Sequence, residues 1–355
     1  MTTFTHPNRL DRAPLAYENK PFLEGPEGRI LRIIAEYQEP LTRFRREKIQ
    51  DTVVFFGSAR FINLETAREN LAEAEAAGHT SATASASPSS DKTPDPKKLR
   101  LLDKPGSVQL APEEEQPAHD ASAEVSPELR LKRARASVEM ARYYEDARRL
   151  AYMLTEWALT IRSKRARFVV TSGGGPGIME AANRGAAEAG GKTIGLNIRL
   201  PFEQFPNRWI TPALNFEFHY FFMRKYWFAY LAKALVVFPG GFGTLDEAFE
   251  ILTLTQTEKL AKKMPVIIYG REYWNRIINF QALVDAGAIA PKDLNLFHYA
   301  DTPQEAFAIL QRHLAELVNT QSPRTLRPEG HIEEFTNGEI AASANGGPEI
   351  TPTND

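Results

Sequence analysis

Short runs of branched and aromatic residues punctuate the chain at strand length, and stretches of helical spacing separate them. TVVFF (Thr52 to Phe56), FVVT (Phe168 to Thr171), TIGL (Thr193 to Leu196), LVVF (Leu235 to Phe238) and VIIY (Val266 to Tyr269) lack regular polar alternation. That is the pattern of strands buried on both faces. Glu139 to Ile161, Ile178 to Ala189, Leu245 to Leu260 and Pro303 to Leu317 are amphipathic at the helical period. Strands alternating with helices predict an α/β fold: a doubly wound parallel sheet with right-handed crossovers and helices on both faces. Ahead of the first strand, Ile30, Ile33, Ile34, Tyr37, Leu41 and Phe44 also keep helical spacing, and Pro40 predicts that this helix is kinked or split.

Two segments carry no such pattern. From 79 to about 127 the chain is rich in Ser, Ala, Pro and charge and has no aromatic residue, so ordering it would cost more entropy than its burial could offset. It is predicted to be a disordered insertion. The stretch 321–355 is expected to be a disordered tail. No internal repeat is visible. The expected organisation is a helical extension over 1–50, a single domain over 51–320 interrupted at 79–127, and the tail.

Composition narrows the partners. The 355 residues are 43% hydrophobic and 25% charged, enough for a sizeable core. A net charge of −2 gives no broad electrostatic ground for expecting nucleic acid or an anionic membrane. Any anion must then be recognised locally. The absence of cysteine excludes disulfides, thiolate nucleophiles and Cys-ligated metals, and fits a reducing cytoplasm. No signal-peptide core opens the chain and no run reaches the length of a membrane span. The seven histidines show no metal-ligand spacing, so neither a metal nor a cofactor is expected.

The chemistry gathers at two strand-to-helix junctions. In a parallel sheet these junctions expose free amides and the positive ends of helix dipoles. Ser172 is followed by Gly173, Gly174, Gly175, Pro176 and Gly177, and Phe238 by PGGFGTLDE, which contains Gly240, Gly241, Gly243 and Thr244. Glycine lets backbone approach an anion closely, so two such loops side by side can cradle one phosphate; without a ligand they would be tight turns. Neither loop completes the dinucleotide fingerprint G-x-G-x-x-G. Gly191-Lys192-Thr193 mimics the end of a P-loop, but lies in the wrong direction, from helix to strand.

Glu247 admits two readings from spacing alone. Thr244-Leu-Asp-Glu247 has the T-x-x-E spacing of a capping box, and a carboxylate beside a phosphate loop also faces the attached sugar. Asp246 is expected to face solvent. In FHYFFMRKYWFAYL (218–231), Phe221, Phe222, Trp227 and Phe228 suit a core or a subunit interface, whereas Arg224 and Lys225 must reach solvent or meet an anion.

SGGGPGIMEAANRGA (172–186), MRK (223–225) and PGGFGTLDE (239–247) together resemble the LONELY GUY family of cytokinin riboside 5′-monophosphate phosphoribohydrolases, formerly labelled lysine decarboxylases. The similarity extends through VVFFGSAR (53–60), YYEDARRLA (143–151), TIGLNIRLP (193–201) and VIIYGREYW (266–274), which is most of the chain outside the insertion and tails. The resemblance implies a Rossmann-like nucleotide-binding catalytic domain, homodimers or larger assemblies, and cleavage of the N-glycosidic bond of a nucleoside 5′-monophosphate such as AMP. It implies catalytic roles for Arg224 and Glu247. Phosphate binding would fall to Gly173, Gly174, Gly175, Gly177, Gly240, Gly241, Gly243 and Thr244, with Ser58, Met179 and Lys225 as further contacts. Small plant-type members carry Glu-Glu where this chain has Asp246-Glu247, which points to the longer bacterial branch. The alternative is a non-catalytic nucleotide-binding or carrier protein, which would need the loops but neither Arg224 nor Glu247. A pyridoxal-dependent decarboxylase should show a lysine preceded by histidine, and the chain has no His-Lys pair.

Overall fold

The computed structural model describes residues 13–81, 126–201, 205–259 and 264–320. The chain divides into two units, Met1–Gln311 and Arg312–Asp355; of the second, the described part is the end of the last helix. The predicted tail and nearly all of the predicted insertion lie outside the described residues.

Strands β1 (Thr52–Phe56), β2 (Val169–Ser172), β3 (Thr193–Ile198), β4 (Asn215–Phe218), β5 (Ala232–Val237), β6 (Val266–Tyr269) and β7 (Phe297–Ala300) form one sheet in the order β4-β3-β2-β1-β5-β6-β7. Every pairing is parallel. The helices are α1 (Lys20–Glu24), α2 (Arg29–Arg46), α3 (Leu64–Ser81), α4 (Pro127–Thr160), α5 (Ile178–Glu188), α6 (Phe221–Tyr230), α7 (Phe242–Gln256), α8 (Arg271–Ile277), α9 (Phe280–Asp285) and α10 (Pro303–Thr320). The α/β expectation holds. The chain winds outward from β1 through β4, returns to the other side of β1 with β5, and winds outward again. A crevice therefore opens at the carboxyl ends of β1 and β5, where the winding reverses.

The pleat sends alternate side chains of β1 to opposite faces. Val54 and Phe56 join a core built with Leu41 and Phe44 of α2, Trp227 and Phe228 of α6 and Ile251 of α7. Val53 and Phe55 are buried on the other face, where Tyr144, Leu150 and Leu154 of α4 and Ala181 of α5 are also buried. Burying each large apolar side chain contributes about 2 kcal/mol, so a central strand with no polar face is favoured on both sides.

Several element boundaries differ from those read in the sequence. β4 (NFEF) and β7 (FHYA) are additional strands at the two sheet edges; half-exposed edges alternate polar with apolar residues and leave no continuous apolar run. α4 begins at Pro127, capped by the Ser126 hydroxyl, which accepts the Leu129 N–H at 3.3 Å. α3 continues to Ser81, past the predicted start of the insertion.

Pro40 does not split α2, which is one helix through Arg46. A proline at this position strands the carbonyl of Glu36, four residues earlier. Trp227 of α6 supplies the missing donor: its indole N–H donates to the Glu36 carbonyl at 2.8 Å. Among the described residues, no helix is long and apolar enough to cross a membrane.

Candidate active site

The glycine loops close β2 and β5, the two neighbours of β1. In the first, the Ser172 hydroxyl donates to Asn183 Oδ1 at 2.7 Å and accepts the Gly174 N–H at 3.1 Å. The Asn207 amide donates to the carbonyls of Gly174 at 3.0 Å and Gly175 at 3.1 Å. The Gly174 amide is thus already used within the loop. Gly177 has φ +70°, and a Cβ there would overlap the Ser58 carbonyl, so a side chain is excluded on both counts. Ser58 pins the loops together: its N–H donates to the Pro239 carbonyl at 3.0 Å and its carbonyl accepts the Ile178 N–H at 3.0 Å.

In the second loop, Gly240 packs against the Thr244 hydroxyl, and its carbonyl accepts the Tyr273 hydroxyl at 3.0 Å. The capping-box reading of Thr244 and Glu247 is overturned. α7 already begins at Phe242, its N-cap is Gly241, and no side chain caps it. The chain turns into helix as soon as it clears β5, which puts Thr244 inside the first turn and leaves the leading amides without an intrahelical partner. A Cβ at Gly241 or Gly243 would meet nothing within 4 Å, and Gly241 has φ −96°. The protein's own packing requires neither glycine; both leave the helix start open to approach from outside.

Arg224 and Glu247 face each other beside these loops. Arg224 Nη1 lies 3.9 Å from Glu247 Oε1, and the side chains are 14% and 9% exposed. That separation is too long for a hydrogen bond. Arg224 is held instead by donation from Nε to the Leu196 carbonyl at 2.8 Å and by the Phe228 ring, whose centroid is 5.0 Å away. A Cβ on Gly173 would come within 2.6 Å of Arg224 Nη2 and 2.7 Å of Met179 Sδ, so both side chains lie over the first loop. Burial pushes the Glu247 carboxyl up to about 7, against the opposing pull of Arg224 and Lys225. Burial also lowers Arg224, which keeps its charge because a guanidinium starts far above neutrality. Asp246 is exposed, as expected, and Lys225 meets Asp246 and Glu250 at 2.8 Å each. Phe221 and Phe222 are each 54% exposed, whereas Trp227 and Phe228 are core residues.

Asn183, Asn207 and Tyr273 were not singled out by sequence reasoning, although Asn183 and Tyr273 lie within quoted motifs. All act on loop backbone or on one another. A cavity of about 370 Å³ opens farther along this edge of the sheet, lined by Arg142, Tyr143, Asp146, Gly270, Arg271 and Asp301, and includes none of the candidate residues. Among the described residues, no group of three or more His, Cys, Asp or Glu is placed to hold a metal.

Residues 179–310 match the family model described as possible lysine decarboxylase. Over that span the chain is similar to this family. The lysine-decarboxylase-like segment contains Met179, Arg224, Lys225 and the whole second loop, whereas Ser58 and the first loop precede it. None of the curated proteins matches the chain. Among solved structures, the molybdenum cofactor binding protein of Rippkaea orientalis is 19% identical, over 48% of this chain and 88% of that one, with a TM-score of 0.34. The molybdenum cofactor carrier protein of Chlamydomonas reinhardtii is 22% identical over 49% and 89%, with a TM-score of 0.33. The protein TM1055 is 25% identical over 48% and 89%, with a TM-score of 0.36.

Proposed function

We propose that this protein is a phosphoribohydrolase that cleaves the N-glycosidic bond of a nucleoside 5′-monophosphate, AMP or a cytokinin riboside monophosphate, to the free base and ribose 5-phosphate. The observation that carries this reading is the buried Glu247 carboxyl, which caps no helix and faces Arg224 beside two glycine loops. Burying such a pair without a hydrogen bond between its members costs free energy, a cost that is tolerated where a site uses the two groups. The open start of α7 at Gly241 and Gly243, with the first glycine loop beside it, would take the 5′-phosphate and so fix the ribose near Glu247.

As the bond from C1′ to the base nitrogen breaks, its electron pair leaves with the base and the ribose gains oxocarbenium character. Glu247 would stabilise that charge and take a proton from the attacking water, whose oxygen bonds to C1′. The departing base nitrogen takes up one proton from solvent and Glu247 gives its own back to solvent, so that one water is consumed in all. Arg224 would orient the substrate and Glu247, with Thr244 and the loop glycines on the phosphate. Ser58, Met179 and Lys225 complete the proposed contacts. No metal or organic cofactor enters this scheme.

The active form is proposed to be a cytoplasmic homodimer or larger homo-oligomer. Ile30, Phe221, Phe222 and Phe242 support the assembly, because they are apolar and 64%, 54%, 54% and 93% exposed.

The deciding measurement is kcat/KM for adenosine, AMP and ATP, followed as free adenine. AMP should exceed adenosine by at least about 100-fold, because binding energy from the remote phosphate orients the reacting sugar. It should also exceed ATP, since two loops closing on one phosphate leave little room for more. Equal values for adenosine and AMP would remove the phosphate from the mechanism, and tight AMP binding without cleavage would favour the carrier alternative.

A further inference from the structure

The helical extension ahead of the sheet makes a set of contacts to the segment that carries Arg224, and they converge on one residue. The Glu36 side chain of α2 accepts the backbone N–H of His219 at 2.7 Å through Oε1 and that of Tyr220 at 3.3 Å through Oε2. These amides lead into the first turn of α6, where Tyr220 occupies the N-cap without a capping side chain of its own. The carboxylate that fixes these amides just ahead of the helix comes from 183 residues earlier in the chain. A carboxylate at this end also complements the helix dipole. The Glu36 carbonyl accepts the Trp227 indole N–H, in the second turn of α6, so the same residue grips α6 at two points. Arg32 adds a third tie, its Nε donating to the Tyr220 hydroxyl at 3.2 Å.

Arg224 lies one turn into that helix, and its own N–H donates to the Tyr220 carbonyl at 3.2 Å. Its guanidinium reaches Leu196 from there, while its contact with Glu247 is only the loose one at 3.9 Å. Glu247 therefore does not fix Arg224; the placement of the first turn of α6 does. We infer that Glu36 is a positioning residue, holding the start of α6 so that Arg224 meets the Leu196 carbonyl and the first glycine loop. This rests on the proposed role of Arg224, and the test separates the two.

Two readouts are taken on the full-length protein with Glu36→Ala, Glu36→Asp and Glu36→Gln. The first needs no catalysis: the exchange rate of the Arg224 Nε proton with solvent, followed by nitrogen-15 NMR, reports the bond to Leu196. It should quicken by about 10-fold in the Ala and Asp variants, which cannot reach the amides. It should stay within about threefold of wild type in the Gln variant, which keeps one acceptor. The second is AMP cleavage: kcat should fall by about 10-fold or more in the Asp variant, with KM within about threefold, because small misplacements of a positioned group affect the chemical step. On an Arg224→Ala background, Glu36→Asp should cost less than about twofold further, since positioning has no object left.

Unchanged Arg224 exchange, or losses that multiply on the Arg224→Ala background, would overturn the inference and leave Glu36 as a stability residue. If the wild-type protein cleaves no nucleotide, the proposed function falls and the exchange readout still decides the role of Glu36. Should the Ala variant fail to fold, Glu36→Asp against Glu36→Gln supplies the comparison.

Discussion

At the scale of single residues, Glu247 is where the sequence was ambiguous and the structure selects. Its T-x-x-E spacing suited a cap, yet α7 starts two residues before Thr244 and Glu247 is buried beside Arg224. The helix start is set by the length of the P-G-G turn, which the spacing of Thr and Glu does not encode. Burial raises the Glu247 carboxyl from 4.5 to about 7, so between those values the unfolded chain releases a proton that the folded one keeps. Stability from this residue is therefore lost as pH rises through the window, by about 3 kcal/mol in full. Glu247→Gln should stabilise the protein at pH 8 by about 2 kcal/mol more than at pH 5, as measured by denaturant unfolding. The same variant should lose about 10²- to 10⁴-fold in AMP cleavage, and the wild-type rise in kcat/KM through an apparent pKa near 7 should vanish with it. A variant that keeps wild-type turnover would remove Glu247 from the chemistry. Gly243 makes a complementary case, because the space around it is empty. Gly243→Ala should fold at least as stably as wild type, by up to about 1 kcal/mol from helix propensity, and yet bind AMP at least about 10-fold more weakly in calorimetry. Unaltered affinity would mean that no ligand approaches this turn.

At the scale of elements, the runs TVVFF, FVVT, TIGL, LVVF and VIIY were legible because central parallel strands bury both faces. β4 and β7 were not, since NFEF and FHYA are short edge strands whose polar residues face out. The helix through Pro40 was illegible for a different reason. A proline predicts a broken helix from local chemistry alone, and its rescue comes from Trp227, 191 residues from Glu36 in sequence. Trp227→Phe should therefore cost about 1 to 3 kcal/mol by leaving the Glu36 carbonyl unpaired, beyond the loss of ring volume. In a Pro40→Ala background, whose restored N–H can serve that carbonyl, the same substitution should cost measurably less in thermal unfolding. Equal costs in both backgrounds would show that the indole contributes packing alone. The glycine loops were legible as loops, whereas Asn207, which holds two carbonyls of the first one, carried no local signal. Its role depends on a fold that brings the stretch after β3 back over β2.

At the scale of the whole molecule, the exposed apolar side chains bear on assembly. Ile30 and Phe242 lie on elements far apart in sequence, and Phe221 and Phe222 open the helix that carries Arg224. Light scattering should give at least twice the 39.8 kDa of one chain, and Phe221→Glu with Phe222→Glu should shift the protein toward monomer. A monomer in the unmodified protein would leave these side chains for another partner. The sheet order has a consequence for how the protein is made. A ribosome delivers β1 early and β2 with the residues up to Ser172, so one edge of β1 is paired soon after synthesis reaches that point. The other edge waits for β5 at Ala232–Val237, and α7 is complete only at Gln256. Until then the central strand of the finished sheet is an open edge, a template for unwanted pairing. Nascent chains arrested between Arg224 and Gln256 would carry the first glycine loop and Arg224 without the completed helix that holds Glu247. Birth order thus makes the site a late product of translation, assembled only after the most exposed interval of the chain's life has passed.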